Sequence, residues 1–221
     1  MPIERSIAAA THGRYLVIPP EASGPAPILA GFHGYAEDAQ MQLERLRGLP
    51  GSERCLLVSI QGLHSFYNRR TNEVVASWMT KQNREEAIAD NIAYVKTCLD
   101  AVAAEWQTAA VAVFAGFSQG VAMAFRAAAH FENRAAGLEN RAAGLIAVGG
   151  DVPPELASDV LKRIPRVVIG RGSGDALYSD EQFSKDESRL RESGVNVHTL
   201  QFSGGHEWPA DFGDPLGWLL S

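Results

Sequence analysis

Residues Gly116-Phe117-Ser118-Gln119-Gly120 read G-x-S-x-G. Ser118 lies where a short apolar run, Ala109–Ala115, gives way to an alanine-rich stretch, Val121–His130. The first suits a strand covered on both faces and the second a helix. A serine on so sharp a turn takes strained backbone angles, and small neighbours relieve the crowding. Gly116 and Gly120 supply that relief, leaving the hydroxyl exposed with a helix amino terminus behind it. This is the setting of a nucleophile; the plainer reading is an ordinary turn serine.

A serine hydroxyl is a weak nucleophile and needs a base within hydrogen-bond reach. The chain has six histidines. His12 precedes the first strand and His130 ends a helix remote from the elbow. His198 falls within the last strand, and His64 lies in an irregular loop where it could touch substrate. His206, in Ser203-Gly204-Gly205-His206-Glu207-Trp208, directly follows the last strand. Its two preceding glycines allow a tight turn that returns the imidazole over the serine. The acid that orients it is Asp175, after strand Arg166–Ile169, or Asp151, after strand Gly144–Val148. Both satisfy the order nucleophile, acid, histidine. The shorter reach from the penultimate strand favours Asp175. Asp180 and Glu181 read as a helix start instead, with Ser179 or Asp180 as the cap.

An acyl-transfer intermediate also needs donors for its oxyanion, usually backbone amides. The amide after the nucleophile belongs to Gln119. A second comes from the loop Gly31-Phe32-His33-Gly34-Tyr35, where Gly34 permits close approach and Tyr35 presents its amide. His33 reads as a structural tie for that loop.

These residues need a scaffold that gathers strand ends. Strands are expected at Tyr15–Pro19, Ile28–Phe32, Cys55–Ile60, Ala109–Phe114, Gly144–Val148, Arg166–Ile169 and Val195–Phe202. Helices are expected at Asp38–Arg47, Arg84–Trp106, Gln119–Phe131, Pro154–Arg163, Ser179–Glu192 and Pro215–Leu220. The alternation predicts an α/β domain over residues 1–221, with a mostly parallel sheet of about seven strands covered by helices on both faces. Ligands of such sheets bind beyond the carboxyl ends of the strands, where the residues above fall. Residues 63–82 read as an irregular linker that joins the substrate pocket, with Phe66, Trp78 and Met79 as its apolar members; Trp208 adds a fourth. Glu132–Leu138 recurs unchanged as Glu139–Leu145, a single tandem duplication. It either extends the preceding helix or bulges from the surface, at the end away from Ser118.

The net charge of −6 argues against nucleic acid or an anionic membrane surface as partner. No signal peptide or membrane span is visible, and no metal motif. Cys55 and Cys98 read as small core residues, so a reducing cytoplasm is the default location.

Taken together, the elbow with its glutamine, His33-Gly34 after an early strand, Ser77-Trp78, Arg84-Glu85-Glu86-Ala87-Ile88 and Gly205-His206-Glu207 resemble the phospholipase/carboxylesterase group. That group includes acyl-protein thioesterases and small carboxylesterases of the α/β-hydrolase fold. The resemblance implies a triad of Ser118, Asp175 and His206, oxyanion amides from Tyr35 and Gln119, no separate cap domain, no cofactor, and a hydrophobic acyl groove near Trp78. Two features depart from the group: Tyr35 replaces its usual Leu, and Asp175 lacks the Val-Pro that commonly follows the acid. The expected activity is hydrolysis of small-molecule esters or thioesters with uncharged acyl chains, through an acyl-enzyme. A non-catalytic hydrolase-fold binding protein, a peptidase and an acyltransferase are the alternatives.

Overall fold

The computed structural model describes residues 2–131 and 141–221. In chain order the elements are β1 (Tyr15–Ile18), β2 (Ala26–Phe32), α1 (Ala39–Arg47), β3 (Leu56–Ile60), β4 (His64–Tyr67), β5 (Val74–Ser77), α2 (Arg84–Glu105), β6 (Thr108–Phe117), α3 (Gln119–Ala129), β7 (Arg141–Val148), α4 (Ser158–Leu161), β8 (Arg166–Gly172), α5 (Asp180–Glu192), β9 (Asn196–Phe202) and α6 (Pro215–Leu220). The main sheet has seven strands in the order β1-β3-β2-β6-β7-β8-β9. Only β1 runs antiparallel to its neighbour; the other pairings are parallel. The mostly parallel α/β sheet read from the sequence is therefore present.

Alternation along the strands sorts their side chains to two faces. On one, Ile28, Ala30, Phe32 and Phe114 pack with Leu99 of α2, Phe125 of α3, Leu161 of α4 and Phe183 of α5. On the other, Leu29, Val113 and Ile146 pack with Leu46 of α1 and Leu219 of α6. Both faces are buried, which is why the central strands read as continuous apolar runs rather than alternating ones. Helices α1 and α5 start on side-chain caps: Asp38 accepts from the Met41 amide at 2.8 Å and Ser179 from that of Gln182 at 3.2 Å. Among the described residues no helix is long and apolar enough to cross a membrane.

Three expectations need correction. Residues 63–82 are not irregular: β4 and β5 form an antiparallel hairpin with Phe66 opposite Val75. Its turn is closed by Asn72 in the left-handed region (φ 58°) and by a bond from the Asn68 amide to the Glu73 carbonyl. The hairpin is tied to the loop after β2 by hydrogen bonds between the Ala76 and Glu37 backbones and from Ala36 to Ala76. Helix α4 is shorter than expected because the carbonyls of Val152, Pro153, Pro154 and Leu156 accept from the Arg189 guanidinium. Strand β6 runs on to Phe117, since its end lies between β2 and β7, pairing Gly116 with Phe32 and Phe117 with Val148.

Helix α3 ends at Ala129 with His130 as its cap, and Arg141–Leu145 of the second repeat copy lie in β7. The first copy and the junction, 132–140, lie outside the described residues, and with them the choice between helix extension and bulge.

Candidate active site

Strand β6 delivers Ser118 directly from its last paired residue, and α3 begins one residue later. Ser118 has φ 52° and ψ −121°, a conformation that L residues rarely adopt. The surrounding structure enforces it. The Ser118 amide donates to the Val148 carbonyl of β7 at 2.9 Å. A Cβ on Gly116 would fall 2.5 Å from the Gly120 carbonyl oxygen, and one on Gly120 would collide with the carbonyls of Phe32 and His33. Backbone approaches backbone so closely here that only glycine fits.

Two strand ends, those of β8 and β9, then bring the remaining groups together. The His206 ring, after β9, lies with Nε2 2.8 Å from Ser118 Oγ and Nδ1 2.9 Å from Asp175 Oδ2. A carboxylate only accepts, so the ring proton resides on Nδ1 and Nε2 is free to accept from the hydroxyl. Asp175 Oδ1 takes the amides of Leu177 and Tyr178 at 2.8 and 2.9 Å. Burial pushes the Asp175 carboxyl up, but the Tyr178 amide, His206 and the Leu177 amide outweigh it and hold the acid below its ordinary value. Asp151 lines the same cleft but Asp175, not Asp151, meets the imidazole.

Residues 28–212 match the serine hydrolase (FSH1) family. The chain belongs to that family. It is a serine hydrolase, and none of the curated proteins matches its sequence significantly. Solved structures share its fold at low identity. The esterase PE8 superposes with a TM-score of 0.65 at 17% identity, covering 89% of this chain and 92% of that one. Acyl-protein thioesterase 2 of Zea mays gives 0.64 at 18%, covering 90% and 93%. The Bacillus cereus carboxylesterase gives 0.64 at 18%, covering 94% and 90%. The resemblance to α/β-hydrolase esterases and thioesterases thus holds across the fold.

Around the reacting atoms, the Gln119 amide is the first of α3 and so one of the donors a helix leaves unpaired. The Tyr35 loop is clamped from both sides. Glu37 Oε2 accepts from the Gly34 amide at 2.7 Å and from Arg45 at 2.6 Å, and Arg45 also stacks over Phe117 at 4.3 Å. His33 lies beneath, fully buried: Nδ1 donates to the Gly34 carbonyl and Nε2 accepts from the Gly62 amide. Both nitrogens are occupied and burial lowers its pKa, so His33 is a neutral tie. The two cysteines are buried, and burial pushes each thiol up to about 11, far from nucleophile range.

Of the apolar residues expected to line the pocket, only Met79 does so. Trp78 is fully buried, its indole donating to the His33 carbonyl at 2.9 Å. Phe66 packs on Tyr35, and Trp208 packs on Phe117 and Phe212 beside a separate hollow of about 300 Å³. These aromatics hold the loops rather than form an acyl groove at Trp78.

Two supports escaped the sequence reading. The Gln119 side chain accepts from the Trp78 amide at 2.9 Å and from Ser77 Oγ at 3.2 Å, and donates to the Met79 carbonyl at 3.0 Å. Buried Arg171 donates to the Asp175 and Tyr178 carbonyls and to Asp180, bracing the acid loop. Arg171 stands in the glycine-rich run before the acid, but nothing in its spacing predicts an inward guanidinium.

Proposed function

We propose that this chain hydrolyses carboxylic esters or thioesters through an acyl-enzyme on Ser118. The observation that carries the reading is the unbroken chain from Ser118 Oγ through His206 to Asp175, with contacts of 2.8 and 2.9 Å. Ser118 Oγ attacks the carbonyl carbon while its proton passes to His206 Nε2. Asp175 holds the ring and stabilises the imidazolium. The oxyanion takes the Gln119 and Tyr35 amides. His206 protonates the departing alkoxide or thiolate, and water repeats the sequence to release the acid. The supports for an enzyme rather than a binding module are family membership and a complete serine, histidine and acid in contact.

Hydrolysis of 4-nitrophenyl butyrate and of the matching thioester, by this chain and by its Ser118→Ala variant, tests the proposal. Turnover that vanishes in the folded variant supports it; turnover that persists there contradicts it.

A further inference from the structure

The cleft at Ser118 encloses about 430 Å³ and is lined by three cations, Lys81, Arg84 and Arg126. Arg126 is 1% exposed, and both Nε and Nη2 donate to the single oxygen Oε1 of Glu155, at 2.7 and 2.5 Å. Among the described residues its Nη1 meets only sulfur, the Met79 and Met123 thioethers at 3.9 Å each. A thioether is a weak acceptor, so the Arg126 Nη1 donors are met only poorly. Arg84 ends at the same place, with Nη1 3.1 Å from Met79 Sδ. Neither Arg84 nor Lys81 enters an ion pair among the described residues. The flexible Met79 side chain therefore sits between the two guanidinium groups, and a planar two-oxygen anion that displaced its thioether would meet both.

Helix α3 supplies a ruler. Ser118, Ala122 and Arg126 recur every fourth residue and all line the cleft. Eight residues of helix rise span about 12 Å, and a helical side chain leans back toward the amino terminus. An anion on Arg126 then lies roughly four to six carbon atoms from the carbonyl that Ser118 attacks. Glu155 already pairs with Arg126, so among the described residues Lys81 and Arg84 are the cleft cations without a carboxylate partner, enough to attract a carboxylate.

We propose that, if Ser118 is the nucleophile, the acyl group it accepts ends in a free carboxylate held by Arg84 and Arg126 beside Lys81. The substrates are then monoesters or monothioesters of medium-length dicarboxylic acids, in place of the uncharged acyl groups expected from the loop aromatics. Only the ester end reacts. The carbonyl carbon exchanges its leaving oxygen or sulfur for Ser118 Oγ, and then Oγ for water oxygen, with His206 carrying each proton. The distal carboxylate is bound and unchanged.

The test compares mono-4-nitrophenyl adipate with its methyl-capped diester. The free acid is expected to show kcat/KM about tenfold higher, carried by KM, and Arg84→Gln to bring the ratio near one. Equal or faster turnover of the capped ester overturns the proposal while leaving the hydrolase reading intact. If neither ester is hydrolysed, calorimetry on Ser118→Ala protein with monomethyl and dimethyl adipate decides. Binding of the acid alone, lost on adding Arg84→Gln, upholds carboxylate recognition and puts the failure in the hydrolase reading. No discrimination between the two overturns the proposal.

Discussion

The elbow around Ser118 and the segment Met79–Arg84 line one cleft, yet different forces hold them. The elbow is fixed by backbone against backbone: Gly116 on Gly120, Gly120 on the Phe32 and His33 carbonyls, and Gly150 against the Ser118 carbonyl. The other segment is tied at one end by side chains. Gln119 holds Trp78 and Met79, and Asn91 donates to the Trp78 carbonyl at 2.7 Å. Beyond Met79 it is exposed as far as Arg84. On the proposed mechanism, the fold dictates where the reaction happens, while side chains of the Met79–Arg84 segment bias what reaches it. Substitutions in the elbow should abolish chemistry or folding; those in the segment should redirect substrate choice.

The largest effect tests the first half of that contrast. Ser118→Ala or His206→Ala should lower kcat by about 10⁴- to 10⁶-fold with an unchanged thermal midpoint. Asp175→Asn should follow at about 10⁴-fold, because the amide disturbs the tautomer that Nδ1 needs. Asp175 also links the site to pH. Its folded pKa is depressed, so it stabilises the fold above the ordinary carboxylate range, and that contribution is lost as pH falls through the folded value. Acid melts of Asp175→Asn should be correspondingly flatter than those of the parent; parallel curves would contradict the assignment.

Gly120→Ala should then cost about 3 kcal/mol of stability, read by urea unfolding, since two carbonyls and not a flexible side chain block the new methyl group. Gln119→Ala should cost about 1–2 kcal/mol and lower activity moderately, because it keeps the backbone amide but frees the Ser77–Met79 anchor. Lys81→Gln, on an exposed side chain, should leave stability within about 0.5 kcal/mol. A Lys81→Gln protein destabilised as much as Gly120→Ala would erase the distinction between the two regions.

The same contrast explains what was legible beforehand. The elbow could be read from the sequence because its geometry demands glycines at fixed offsets, and the parallel sheet because strands buried on both faces become apolar runs. His206 and Asp175 were readable as strand-following residues after glycine turns. The β4–β5 hairpin was not, since its short strands are half exposed and carry polar residues such as His64 and Ser65. Trp78 and Trp208 looked like pocket residues because an aromatic in a loop can face either a ligand or the protein, and only packing tells which. Arg126 gave no signal in an alanine-rich helix, although its spacing from Ser118 places it on the same stripe. Side-chain direction in loops is set by partners distant in sequence, such as the 41 residues between Trp78 and Gln119.

The most direct measurement is to treat the purified protein with a fluorophosphonate and map the adduct by mass spectrometry. An adduct on Ser118 that disappears in His206→Ala is the predicted result. Folded protein that stays unlabelled, or that is labelled at another residue, would contradict an activated Ser118 and the account built on it.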